Sequence, residues 1–141
     1  MRKISLILFA AVCAGLSCSP KLSPDATWAN QRWVLIEMKG VPVQLSGTRK
    51  DAFLEFAPQD KRFTGNAGCN RISGNYTLEK KDRIKLGEVI STKMSCGDIA
   101  FETTFLSTFN TVDRFETQGT ILSLKDNKKV VLKFEQKPPS R

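Results

Sequence analysis

No histidine occurs anywhere in the 141 residues. That absence removes the commonest general base, the usual partner of a nucleophilic serine or cysteine, and the commonest zinc ligand. The N-terminal apolar run, residues 4–14, falls well short of the roughly 20 residues a membrane-crossing helix needs. Cysteine is limited to Cys13, Cys18, Cys69 and Cys96. No cluster of histidine or methionine offers a copper site. Carboxylates are present as Glu55, Asp60, Glu79, Asp98 and Glu102, but no spacing among them singles out an acid and base pair. The expectation is a protein that is not an enzyme and carries no metal and no cofactor.

What is present begins with an export layout. Arg2 and Lys3 precede the charge-free apolar run, the pattern of a signal peptide, read here as residues 1–17. The stretch Gly15-Leu16-Ser17-Cys18 resembles a lipobox, although Leu16 lies two rather than three residues before the cysteine. Cys18 is therefore the expected lipidation site. Residues 18–27, with Pro20 and Pro24, read as an extended tether. The expected location is the cell envelope, anchored to a membrane through the N-terminal lipid, with Ser19 favouring the outer membrane by resemblance to other lipoproteins. Formal charge is +8, and loss of Arg2 and Lys3 with a segment that holds no acid leaves +6. A basic surface suits an acidic partner, but export argues against nucleic acid. The cations are interleaved with acids, which suits a solvated surface. The expectation is a monomer with, at most, an envelope protein as partner.

With Cys13 lost and Cys18 lipidated, Cys69 and Cys96 remain in the folded domain. Two remaining cysteines in an exported chain most simply form a disulfide. From residue 32 onward, short alternating apolar runs predict strands at 32–38, 52–56, 62–66, 74–79, 84–91, 114–117, 120–125 and 130–135. Turn residues separate them, as at Gly40 to Pro42, Pro58-Gln59-Asp60 and Asp126-Asn127. Phe101, Phe105, Phe109 and Val112 recur at helical spacing and predict one helix with its phenylalanines facing the sheet. Ser95 with Asp98 three residues later predicts a capping box at its start. The fold class expected is α+β: a curved, barrel-like antiparallel sheet with one packed helix, in a single domain over 28–135. Lys137 to Arg141, with paired prolines, should form a disordered tail beginning at residue 136.

The densest stretch is Thr64 to Tyr76, rich in glycine and asparagine. Such residues accept unusual backbone conformations, and Asn70 is placed to bond nearby amides and hold a tight loop beside Cys69. The set Gly68-Cys69-Asn70-Arg71, then Gly74 and Tyr76, then Thr92-Lys93-Met94-Ser95-Cys96, then Glu102, with Trp33 opening the domain, resembles the META domain. That domain is found in heat-inducible HslJ-like lipoproteins of Gram-negative envelopes. The resemblance covers about residues 27–135. It implies an α+β fold, no established enzymatic activity, and an association with stress or antibiotic tolerance and with secretion or virulence; it supplies no catalytic residues. An alternative is a protein-binding or hydrolase-inhibiting module that presents Asn70 and Arg71. A further alternative is copper binding by Met94, Cys96 and Met38, if the thiols were reduced.

Overall fold

A computed structural model describes residues 28–47, 50–79, 82–97 and 99–137. The expected signal peptide, Cys18, the tether, Asp98 and residues 138–141 lie outside the described residues.

The order along the chain is β1 (Arg32–Met38), β2 (Val41–Pro42), β3 (Phe53–Ala57), β4 (Arg62–Asn66), β5 (Arg71–Leu78), β6 (Ile84–Leu86), β7 (Ile90–Ser91), α1 (Ile99–Phe109), β8 (Arg114–Gln118), β9 (Ile121–Asp126) and β10 (Lys129–Lys137). Every pairing is antiparallel. The spatial order is β6-β5-β4-β3-β1-β10-β9-β8, with β2 on β1 and β7 on β5. The two ends of this sheet meet through main-chain bonds: the Ile84 amide donates to Asp113 at 3.0 Å, and the Phe115 amide to Asp82 at 2.8 Å. A curved sheet that closes in this way is a nearly complete barrel, and the expected α+β class holds.

Alternation explains the strands. In β3, Leu54 and Phe56 are buried while Phe53 and Glu55 look outward; in β4, Phe63 and Gly65 are buried and Thr64 is exposed. The period of two thus assigns one side of each strand to the core. That core is aromatic. Trp28 packs edge-on against Phe56 at 4.5 Å and tilted against Phe115 at 5.0 Å, and Phe56 meets Tyr76 at 5.3 Å. Such ring pairs contribute about 0.5–1.5 kcal/mol each beyond the area they bury. The helix adds Phe105 and Phe109, both fully buried, with Phe109 edge-on to Phe63.

Several boundaries differ from the sequence reading. β5 starts at Arg71 rather than Gly74, because Asn66 pairs with Arg71 and Gly65 with Ile72; the glycine-rich loop is only 67–70. The single strand expected at 84–91 is two short strands. Gly74 explains the break: a side chain there would lie 2.7 Å from the Glu88 carbonyl oxygen, so the bare glycine admits the main chain of Glu88, which leaves the ladder. Val41–Pro42, expected as turn, pairs with Glu37 and Met38. The helix starts at Ile99, so Ser95, four residues earlier and exposed, does not cap it. Val112 is buried but lies past the helix end. Finally, β10 runs through Gln136 and Lys137, which pair with Trp33 and Arg32. A tail starting at residue 136 is therefore corrected; the hydrogen-bond ladder claims the first two of its residues.

Candidate ligand-binding cleft at the 67–70 turn

The β4–β5 turn is held by one side chain. Asn70 is 6% exposed, so its amide must find partners inside the protein. Its Oδ1 accepts from the Thr92 hydroxyl at 2.8 Å and from the Met94 main-chain amide at 2.7 Å. Its Nδ2 donates to the Glu102 carboxylate at 3.0 and 3.1 Å, and its own main-chain amide donates to Glu102 Oε2 at 2.9 Å. Glu102, in the first turn of α1, is itself buried. One asparagine therefore ties the turn, the 92–94 segment and the helix together. The sequence reading had Asn70 either holding its own loop or facing a partner; burial rules out the second, and the bonds reach well beyond the loop.

Two further features lock the same corner. Cys69 and Cys96 are joined with Cα atoms 6.2 Å apart. Gly68 has φ +105, and a side chain there would sit 2.7 Å from the Phe101 ring. Only glycine combines that backbone conformation with that approach.

Outside this corner runs a cleft of about 800 Å³ lined by Arg32, Lys50, Phe53, Arg71, Met94 and the two bonded cysteines, among others. A second lobe of about 530 Å³ shares Arg32, Phe53, Arg71 and Thr92 with it and adds Glu55, Ser73 and Ile90. Register builds this surface. Arg32 lies opposite Glu55, Phe53 opposite Asn66, and Asn66 opposite Arg71, so these side chains share the outer face of the sheet. Arg32 sits 3.5 Å above the Phe53 ring centroid and 3.6 Å from Glu55. Arg71 is exposed, and among the described residues its guanidinium makes no hydrogen bond or ion pair.

The cysteine pair and Arg71 thus come together at the cleft, with Asn70 behind it. The scattered carboxylates do not converge: Glu55 is on the outer face, Glu102 is inside, and Asp60 and Glu79 are exposed in turns. Among the described residues no group of three histidine, cysteine, aspartate or glutamate side chains is placed to hold a metal. Met94 is 58% exposed at the cleft, but both neighbouring sulfurs are bonded to each other, so no thiolate stands beside it. The sequence reading missed Arg32, Lys50 and Phe53. Their adjacency depends on pairing between distant strands, which no local spacing reveals.

A family model described as the META domain matches residues 26–139. Among solved structures, the chain is similar to a protein from Burkholderia xenovorans determined by NMR, with 20% identity, 78% of this chain and 83% of that one covered, and a TM-score of 0.61. It is also similar to a DUF4847 family protein from Bacteroides vulgatus determined by crystallography, with 16% identity, coverage of 79% and 95%, and a TM-score of 0.59. At these identities the likeness concerns the fold alone. No curated protein matches the chain.

Proposed function

The chain belongs to the META domain family, and from that premise we propose that it is a non-catalytic, lipid-anchored envelope protein that binds a ligand at the cleft beside Arg71. The observation that carries this reading is the contrast between Asn70 and Arg71. The buried asparagine satisfies its polar groups internally and fixes the corner. The adjacent arginine stands exposed on that rigid corner, and its guanidinium has no hydrogen-bond or ion-pair partner among the described residues. A pre-organised surface loses little entropy when a ligand binds. Arg71 lines the cleft with Arg32 and Lys50, and the nearby carboxylate Glu55 is engaged with Arg32, an arrangement that suits recognition of an anion rather than proton transfer. The anchor rests on the sequence around Cys18, and a role in stress or antibiotic tolerance rests on the family resemblance.

A second reading, a protein-binding or inhibitor module, is favoured by Ile90 and Met94. Both large apolar side chains are exposed near Arg71, at 65% and 58%. Both readings predict that Arg71 matters for binding and not for folding. Tagged full-length protein should capture its ligand from native envelopes, and Arg71→Glu should lose that capture while unfolding at an unchanged temperature. Equal capture by both proteins would refute the assignment. In the same preparation, Cys18→Ser should leave the membrane fraction or remain unprocessed; a processed protein retained in the membrane would refute the anchor.

A further inference from the structure

We infer that the cleft takes a small amphiphilic anion, an alkyl chain bearing a phosphate or carboxylate head; this rests on the binding role proposed above and adds the class of ligand. The charge balance of the two lobes points to an anion. Arg32, Lys50 and Arg71 line them, against Glu55 as the one acid among the described lining residues. Glu55 is engaged with Arg32 at 3.6 Å, and the Arg71 guanidinium has no hydrogen-bond or ion-pair partner among the described residues. A guanidinium offers a planar pair of N–H groups matched to carboxylate or phosphate oxygens.

The rest of the lining points to an apolar body behind that head. The Phe53 ring, the exposed Met94 side chain and the Cys69–Cys96 bridge all line the first lobe, and Ile90 adds an exposed apolar side chain to the second. A bare inorganic anion would use the cations and leave these groups in water. A neutral alkyl compound would cover them and leave Arg71 without a counter-charge. Only a molecule with both parts uses both surfaces. The volume of about 800 Å³ lies within the range of roughly 300–1,000 Å³ usual for small-ligand sites.

The groups that would meet the ligand are also held in place beforehand. Arg32 rests on Phe53 with its side chain 17% exposed. Thr92 and the Met94 main chain are tied to Asn70. Arg71 projects from the first residue of a paired strand. Ordering the site on binding therefore costs little beyond the Arg71 and Met94 side chains.

The test uses the full chain carrying Cys18→Ser, so that no attached lipid competes, with the Cys69–Cys96 bond intact. Titration calorimetry below the micelle threshold compares dodecyl phosphate, inorganic phosphate and the neutral dodecyl maltoside. The expected result is saturable one-to-one binding of dodecyl phosphate, with the other two at least tenfold weaker. Arg71→Gln and Arg71→Glu should each weaken dodecyl phosphate tenfold or more without shifting the unfolding temperature. Phe53→Leu, which keeps an apolar side chain in the strand, should weaken it less than Arg71→Glu and by more than twofold. Equal binding of the maltoside, equal binding of inorganic phosphate, or an unchanged affinity in Arg71→Gln would each overturn the inference. If dodecyl phosphate fails while envelope capture still depends on Arg71, the ligand class is wrong and the binding role stands. If both fail, both readings fall.

Discussion

Replacing Asn70 with alanine separates a structural role from a presenting one. The substitution removes the Nδ2 bond to the Glu102 carboxylate and both bonds to Oδ1, from the Thr92 hydroxyl and the Met94 amide. A buried hydrogen bond to a charged group is worth about 1.5–3 kcal/mol and a neutral one about 1 kcal/mol. The three losses together come to about 4 kcal/mol, a large share of the roughly 5–15 kcal/mol that holds a domain folded. For a domain of this size, about 4 °C per kcal/mol translates this into a fall of about 15 °C in Tm. Urea unfolding followed by the fluorescence of Trp28 and Trp33, both buried, reads it directly as a lower midpoint at unchanged slope. The Thr92 hydroxyl donates to Asn70 and also accepts from the Arg71 main-chain amide at 3.1 Å. Thr92→Val alone should therefore cost about 2 kcal/mol, and added to Asn70→Ala it should cost about half of that, since only one of its two bonds is shared with Asn70. A loss below 1 kcal/mol for Asn70→Ala, or simple additivity with Thr92→Val, would show that the knot is not what holds this corner.

The Cys69–Cys96 bridge spans a sequence separation of 27, so by the chain-entropy relation Cys69→Ser and Cys96→Ser should each cost about 3.6 kcal/mol, and the double variant no more than either alone; two free thiols by mass spectrometry of the unreduced protein would refute the pairing. At Gly65 an added side chain would run into the main-chain oxygen of Phe53, whereas at Gly97 it would meet nothing within 4 Å. Gly65→Ala should therefore cost about 3 kcal/mol or more and Gly97→Ala less than about 0.5 kcal/mol, measured as urea midpoints; equal costs would mean that the strand backbone yields. A main-chain hydrogen bond at Asp82, and then the Arg114 guanidinium, hold the Asp82 carboxyl below its ordinary value of 3.8. A lowered folded value contributes stability above the ordinary one that is lost as pH falls through the folded one. Asp82→Asn should therefore flatten the fall in stability below about pH 4, and an unchanged profile would refute the assignment.

Local pattern carried much of the fold. The strands at 32–38 and 62–66 have the bounds that alternation predicts, and Phe105 and Phe109 lie buried on the helix as their spacing requires. What local pattern could not carry was anything decided across the sheet. The run of glycine and asparagine before Gly74 reads as loop, yet pairing with β4 draws Arg71 and Ile72 into a strand. Ser95 carries a capping signal, but the 92–96 segment is held instead by Asn70 and the disulfide, and the helix begins only afterwards. Asn70 was visible as a residue that orders backbone; its partners at Thr92, Met94 and Glu102 were not, because they are 22 to 32 residues away. The cleft was the least legible part, since Arg32 and Arg71 become neighbours only through the register of β1, β3, β4 and β5.

The position of β1 in the middle of the sheet, between β3 and β10, bears on how the protein is made. Gln31 and Gln136, hydrogen-bonded across this seam, are 105 residues apart. A chain emerging from its N-terminus must therefore keep β1 waiting while nearly every other element forms. In that interval one edge of β1 offers unpaired amides and carbonyls, and Leu35 and Met38 lack their cross-strand partners Phe134 and Leu132. Such an edge is a template for pairing with another molecule. The interval is a property of connectivity and not of contacts, so it can be changed with every contact kept. A circular permutant that links Lys137 to Trp28 by a short polar loop, with new ends opened in the exposed turn between Asp126 and Lys129, would make β10 and β1 a local hairpin. It should reach the same barrel faster, with less loss to aggregation on the way.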